Sequence, residues 1–132
     1  MRKGVKKLKM SDIEIFDELI GAIEASNVKK FKDLFNIRLI NMRTKRTGTT
    51  MLAMCGICDN VTLTKFLLEN GADFYICNNY NHFPVQTAVL RRSMNAAVLI
   101  AEKMLEDGFK FSILPREIQS HSKFCHLVTL GK

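Results

Sequence analysis

Proline and glycine are scarce in this 132-residue chain, at two and seven residues, which leaves little material for long irregular loops. No segment sustains the Val/Thr/Tyr alternation of a half-buried strand, and that argues against a sheet-dominated fold. No apolar run approaches the roughly 18 residues needed to cross a bilayer, so no membrane association is expected. The basic start resembles the head of a secretory leader, but residues 11–23 carry Asp12, Glu14, Asp17 and Glu18 among their apolar positions. Without a leader, the four cysteines read as free thiols in a reducing compartment, and the expected location is intracellular and cytoplasmic.

Catalytic machinery is missing too. The glycines stand singly, so none builds a phosphate-cradling loop. A triad needs a serine or cysteine, a base and an orienting acid within hydrogen-bond reach, and His82, His121 and His126 fall on an expected turn and in the terminal segment. Carboxylates cluster only between Asp12 and Glu24, where alternation with Ile13, Ile15, Phe16 and Leu19 gives a solvated helix face. Cys55-Gly56-Ile57-Cys58 is the one motif that invites redox or zinc chemistry. A zinc site would need a second ligand pair, for which only His121, Cys125 and His126 are candidates. The expectation is a non-enzyme with no cofactor and no metal.

What remains is ordinary for a folded single domain: 47% hydrophobic and 25% charged residues. The net charge of +7 is unevenly placed. Arg2, Lys3, Lys6, Lys7 and Lys9 crowd the start, and a second run holds Lys29, Lys30, Lys32, Arg38, Arg43, Lys45 and Arg46, with Asp33 its only acid. Such runs are either a solvated surface or a patch for nucleic acid, an anionic surface or an acidic partner.

The chain also repeats itself. Leu52-Ala53-Met54-Cys55 returns as Val85-Gln86-Thr87-Ala88, since 85 − 52 = 33, and Leu19-Ile20-Gly21-Ala22 stands the same distance upstream. A fixed period of this length marks stacked helical units. Within one unit, Thr49-Thr50 can cap a first helix over about 51–57. Asp59-Asn60 turn the chain, a second helix covers roughly 63–69, and Asn70-Gly71 end it through a left-handed cap. An extended stretch and the polar turn Asn78-Asn79-Tyr80-Asn81 follow, and Pro84 opens the next first helix, where its missing N–H costs nothing. The third unit closes late: Gly108 − Gly71 = 37, an excess of four residues that adds about one helical turn between Val85 and Asp107. Pro115 starts a terminal segment with Ile118, Phe124, Leu127 and Val128.

This unit resembles an ankyrin repeat. Gly48-Thr49-Thr50-Met51-Leu52 through Cys55 is similar to the family's opening, and Phe66-Leu67-Leu68-Glu69-Asn70-Gly71-Ala72-Asp73 follows its close almost letter for letter. Asn81 stands where 48 + 33 calls for glycine, and asparagine tolerates positive φ. The upstream copy keeps Leu19, Ala22, Phe31, Leu34 and Phe35 in register. Neither downstream opening keeps Thr-Pro-Leu-His, so the family's threonine–histidine network is absent or altered and lower stability is expected. The resemblance implies an all-α, ankyrin-like helical-repeat solenoid with short turn fingers and a C-terminal capping segment. Its divisions would be a basic lead at 1–11, repeats at about 12–47, 48–80 and 81–111, and a cap at 112–132. It also places Cys55 in the small buried slot of Ala22 and Ala88, and Phe31, Phe35, Phe66 and Phe74 against neighbouring repeats.

Ankyrin-like arrays bind proteins through their turn fingers and the ends of their first helices. Carried onto this chain, the contact positions are Arg46, Thr47, Thr49, Ile57, Cys58, Asn79, Tyr80, His82, Leu90 and Arg91. Ile57, Tyr80 and Leu90 are apolar or aromatic at positions expected to be exposed, with Arg46 and Arg91 beside them, a composition suited to an interface. The leading expectation is a non-enzymatic protein-interaction module, an adaptor or stoichiometric inhibitor that acts by occupying a partner. Short divergent arrays of viruses and intracellular bacteria are similar, and this implies a host protein as target. Two alternatives stand: a nucleic-acid-binding protein using the basic runs, and a self-assembling subunit joined through residues 113–130.

Overall fold

The computed structural model describes residues 10–124, and in them the 33-residue period is written into the backbone. The described residues are all-helical, with seven α-helices and no strand. Six helices form three antiparallel pairs: α1 (Asp12–Glu24) with α2 (Val28–Leu34), α3 (Met51–Ile57) with α4 (Val61–Glu69), and α5 (Pro84–Leu90) with α6 (Met94–Glu106). The short α7 (Arg116–Gln119) packs on α6.

The turn inside each pair has one design used three times. Ala25, Cys58 and Arg91 cap the first helices, and Ser26, Asp59 and Arg92 then take positive φ, at 55°, 51° and 61°. The next N–H folds back on the helix: Asn27 to the Ala22 carbonyl at 2.8 Å, Asn60 to Cys55 at 2.9 Å, Ser93 to Ala88 at 2.9 Å. This is a glycine-type helix stop built three times without glycine. Gly71 (φ 85°) and Gly108 (φ 94°) make the same closure after α4 and α6.

Packing follows the period as well. The first helices lie in a row, α1 against α3 and α3 against α5, while α4 packs on α6. Leu19, Leu52 and Val85 fill one buried column and Ala22, Cys55 and Ala88 another. Small residues in the second column let the helices approach closely. A Cβ added at Gly56 would stand 3.3 Å from the Ala88 Cβ. Between α2 and α4, the Phe66 ring meets Phe31 and Phe35 edge-on, with centroids 6.2 and 5.1 Å away, and Lys32 lies over it.

Two sequence expectations need adjustment, and a third, the extra turn between Val85 and Asp107, is met and localised. The first helix starts at Asp12, well before the register position Leu19, because Ser11 and Glu14 close a reciprocal capping box: Ser11 N–H donates to Glu14 at 2.8 Å and Glu14 N–H to Ser11 at 3.2 Å. Ser11 therefore belongs to the folded part and not to the lead. The second helix of the middle pair starts at Val61, because the Asn60 side chain accepts from the Leu63 N–H at 3.0 Å. The extra turn of the third unit lies wholly in α6, whose 13 residues exceed the nine of α4 by four. After α6, 3₁₀ turns at Phe111–Ile113 and Ser122–Phe124 flank α7, and Leu114, Ile118 and Phe124 are buried. The basic lead before Met10 and the expected cap residues Cys125, His126, Leu127 and Val128 lie outside the described residues.

Candidate partner-binding surface

The loop before α3 is held by its own threonines. Thr44, Thr47 and Thr49 hydroxyls form a chain with contacts of 3.0 and 2.8 Å, and the Thr49 N–H donates to the Thr44 hydroxyl at 3.1 Å. Gly48 turns the chain at φ 70°, and Thr50 accepts from the Ala53 N–H to cap α3. The loop before α5 is built on Asn78, whose side-chain oxygen accepts from the N–H groups of Tyr80 (2.8 Å) and His82 (3.1 Å). Asn81 supplies the positive φ, 64°, as its register position requires. The tip so formed leaves Tyr80 68% exposed.

The two loops are bonded to each other. Asn79 donates from its backbone to the Thr47 carbonyl at 2.8 Å and from its side chain to the Arg46 carbonyl at 3.1 Å, while an Arg43 guanidinium nitrogen donates to the Cys77 carbonyl at 3.2 Å. Both loops therefore form one edge.

The ten expected contact residues separate on this frame. Tyr80 and Leu90 are exposed large apolar groups, at 68% and 64%, and Arg46, Cys58 and Arg91 are exposed around them. Thr49 is a correction: at 4% exposure, with its hydroxyl on Thr47, it is part of the loop's interior and cannot touch a partner. Thr47 is half-buried in the same hydroxyl chain. Asn79 is exposed, but its side-chain donor is committed to the neighbouring loop. Ile57 is half-buried rather than open, and its carbonyl accepts from the Ser93 hydroxyl at 3.1 Å.

His82 is half-buried, with Leu90, on a feature that the repeat pattern did not mark. A groove of about 290 Å³ runs between α5 and the chain after α6, lined by His82, Val85, Val89, Leu90, Ile113 and Glu117 among others. Ile113 stands 64% exposed at its edge. The repeat pattern carries no signal for it, because its two walls are not related by the 33-residue period.

The cysteine pair offers thiols rather than thiolates. Burial pushes the Cys55 thiol far above the ordinary range, with a smaller contribution from Cys58. Cys58 is also raised, chiefly by partial burial and then by Glu24, against an opposing pull from Arg91. Among the described residues no group of three His, Cys, Asp or Glu is placed to hold a metal ion, and of the expected second ligand pair only His121 is among them. No described helix is long and apolar enough to cross a membrane. No protein-family model matches this sequence, and no curated protein matches it.

Proposed function

We propose that this chain is an ankyrin-like array that binds another protein through the edge formed by its two loops and the ends of α3 and α5. The recurrence of Ser26, Asp59 and Arg92 at positive φ, of Gly48 and Asn81 likewise, and of the buried column Ala22, Cys55 and Ala88 supports the repeat reading. The observation that carries the binding reading is the exposure of Tyr80 and Leu90. Both are large apolar groups held out by ordered backbone, one at a hydrogen-bonded loop tip and one in the last turn of a helix. Tyrosine and arginine are the residue types enriched among interface anchors, and Leu90 adds apolar area beside Arg91. The array acts by occupying its partner, as an adaptor or a stoichiometric inhibitor, with a host protein as the target if it is of viral or bacterial origin.

The test replaces Tyr80 or Leu90 singly with a photo-crosslinking amino acid and irradiates the chain in extract of its native cell. A discrete adduct at these positions, absent when the same group stands at Glu69 on α4, is the expected result. Adducts at Glu69 alone, or at none of the three positions, would overturn the reading.

A further inference from the structure

Charge is partitioned along this chain in a way its net value conceals. From position 34 to 58 there is no acid, and from 74 to 101 there is none either. These two stretches contain both loops, both first helices α3 and α5, and the ends of those helices. The cations there are Arg38, Arg43, Lys45 and Arg46 in the first stretch, and Arg91 and Arg92 in the second.

Local ion pairs do not neutralise them. The five ion pairs among the described residues engage Lys29, Lys30, Arg38, Lys103 and Lys123, so of the six only Arg38 has an acidic partner, Asp12 at 3.0 Å. The acids bordering these stretches keep their charge but direct their hydrogen bonds to neutral donors rather than to the cations. Asp59 accepts from the Ala96 N–H and the Asn95 amide, Asp73 from the Tyr75 N–H, and Asp107 from the Tyr75 hydroxyl. Glu24, at the end of α1, is the acid that reaches the margin of the surface, close enough to act on Cys58. Glu117 lines the groove behind it.

The arrangement has a length scale. Lys45 and Arg46 sit in the loop leading into α3, and Arg91 and Arg92 follow the last residue of α5. Each of these helices has seven residues, hence spans ~10 Å, and neither carries a charged side chain. Two cationic ends thus bracket a short neutral floor, with Tyr80 and Leu90 exposed beside them. Unpaired cations of one sign raise the local potential and favour an oppositely charged partner. The aliphatic Leu90 beside Arg91 favours a polypeptide over a nucleic acid, which would offer negative charge and bases to stack on Tyr80 but no aliphatic side chain for Leu90 to cover.

Resting on the binding reading above, we infer that the partner presents an acidic segment with an apolar side chain between its carboxylates, the acids meeting Arg46 and Arg91 and the apolar group meeting Tyr80 and Leu90. The probe is a short fluorescein-labelled peptide of Glu and Asp around a central Leu-Phe pair, titrated with the full chain. Its counterparts are a scrambled-charge peptide with Lys in place of the acids and a single-stranded DNA of equal charge. The acidic peptide should bind most tightly and weaken as salt rises from ~50 to ~200 mM. Arg46→Glu with Arg91→Glu should weaken it at least ~10-fold, while Lys65→Glu with Arg116→Glu, an equal charge change elsewhere, should cost less than ~3-fold. Neither the Arg46 nor the Arg91 guanidinium makes a hydrogen bond among the described residues, so the variant reversed at both should stay folded, with a thermal midpoint near the parent's.

Equal losses from the two reversals would overturn the inference by making the attraction one of net charge alone. Tighter binding of the DNA, lost on reversal at Arg46 and Arg91, would overturn it in favour of a nucleic acid. Crosslinking at Tyr80 that survives both reversals would leave the binding reading in place and remove the acidic partner.

Discussion

The Asp59 carboxylate accepts from the N–H of Ala96 at 2.9 Å, across the boundary between two helix pairs. Ala96 lies in the first turn of α6, where N–H groups have no intrahelical acceptor. Ser93, the residue at the cap position, makes no capping bond; its hydroxyl instead donates to the Ile57 carbonyl at the end of α3. One pair therefore caps the next, and the second satisfies a carbonyl at the end of the first's α3 in return.

This exchange predicts an unusual cost for a polar turn residue. Asp59→Ala should destabilise the chain by ~1–2 kcal/mol, through loss of the cap, loss of its favourable charge at a helix start and the strain of alanine at φ 51°. Urea unfolding of the variant checks this. A value within ~0.3 kcal/mol of the parent would mean that water replaces the carboxylate at no cost.

Gly56 sets the distance between α3 and the third pair. An added methyl meets the Ala88 Cβ at 3.3 Å and Ile100 at 3.7 Å, so Gly56→Ala trades a tight contact against the helical preference of alanine. Gly56→Val cannot make that trade and should lose ~2–3 kcal/mol through overpacking. Thermal melts of both variants should place the valine well below the alanine; equal midpoints would contradict close packing here.

Thr64 occupies the buried column that holds Phe31 and Ala97, and its hydroxyl has no hydrogen-bond partner among the described residues. A buried hydroxyl without a partner costs roughly 1–3 kcal/mol. Thr64→Val keeps the shape and removes that cost, so the variant should be more stable by ~1 kcal/mol in urea. A loss of stability would show that the hydroxyl is in fact satisfied.

Cys55 makes the fold sensitive to alkali. Burial raises its folded-state ionisation far above the 9.0 of an exposed thiol, so the unfolded chain releases the proton first as pH climbs. The stabilisation is complete below about pH 9 and is lost above it, by up to ~1.4 kcal/mol per pH unit. Cys55→Ala installs the residue found at 22 and 88 in the same column and should remove this part of the loss. Urea midpoints at about pH 8 and about pH 10, compared between the two chains, give the answer. An identical fall in both would mean that other groups account for all of it.

Period and packing were legible because they repeat. Leu19, Leu52 and Val85 share a chemical type every 33 residues, and their burial follows from that alone. The start of α1 was less visible, since Ser11 and Glu14 act as a local pair outside the 33-residue register; only its reach-back half recurs, in the Phe83 N–H donated to the Gln86 side chain before α5. At the binding edge, sequence marked Tyr80 and Leu90 as open apolar groups, which they are. It could not separate Thr49 from them, because the same residue type serves as surface or as interior according to where its hydroxyl bonds. The groove beside Leu90 was hidden for another reason: it needs residues 82–90 and 109–117 together, and no period relates them.

The side-chain hydrogen bonds that leave one helix pair for another reach no farther than 37 residues along the chain. A polypeptide emerging from the ribosome would thus meet each such partner within about one unit's further growth. The polar links can therefore form in the order in which the chain is synthesised, while the faces of α3 and α4 stay uncovered until the third pair packs on them.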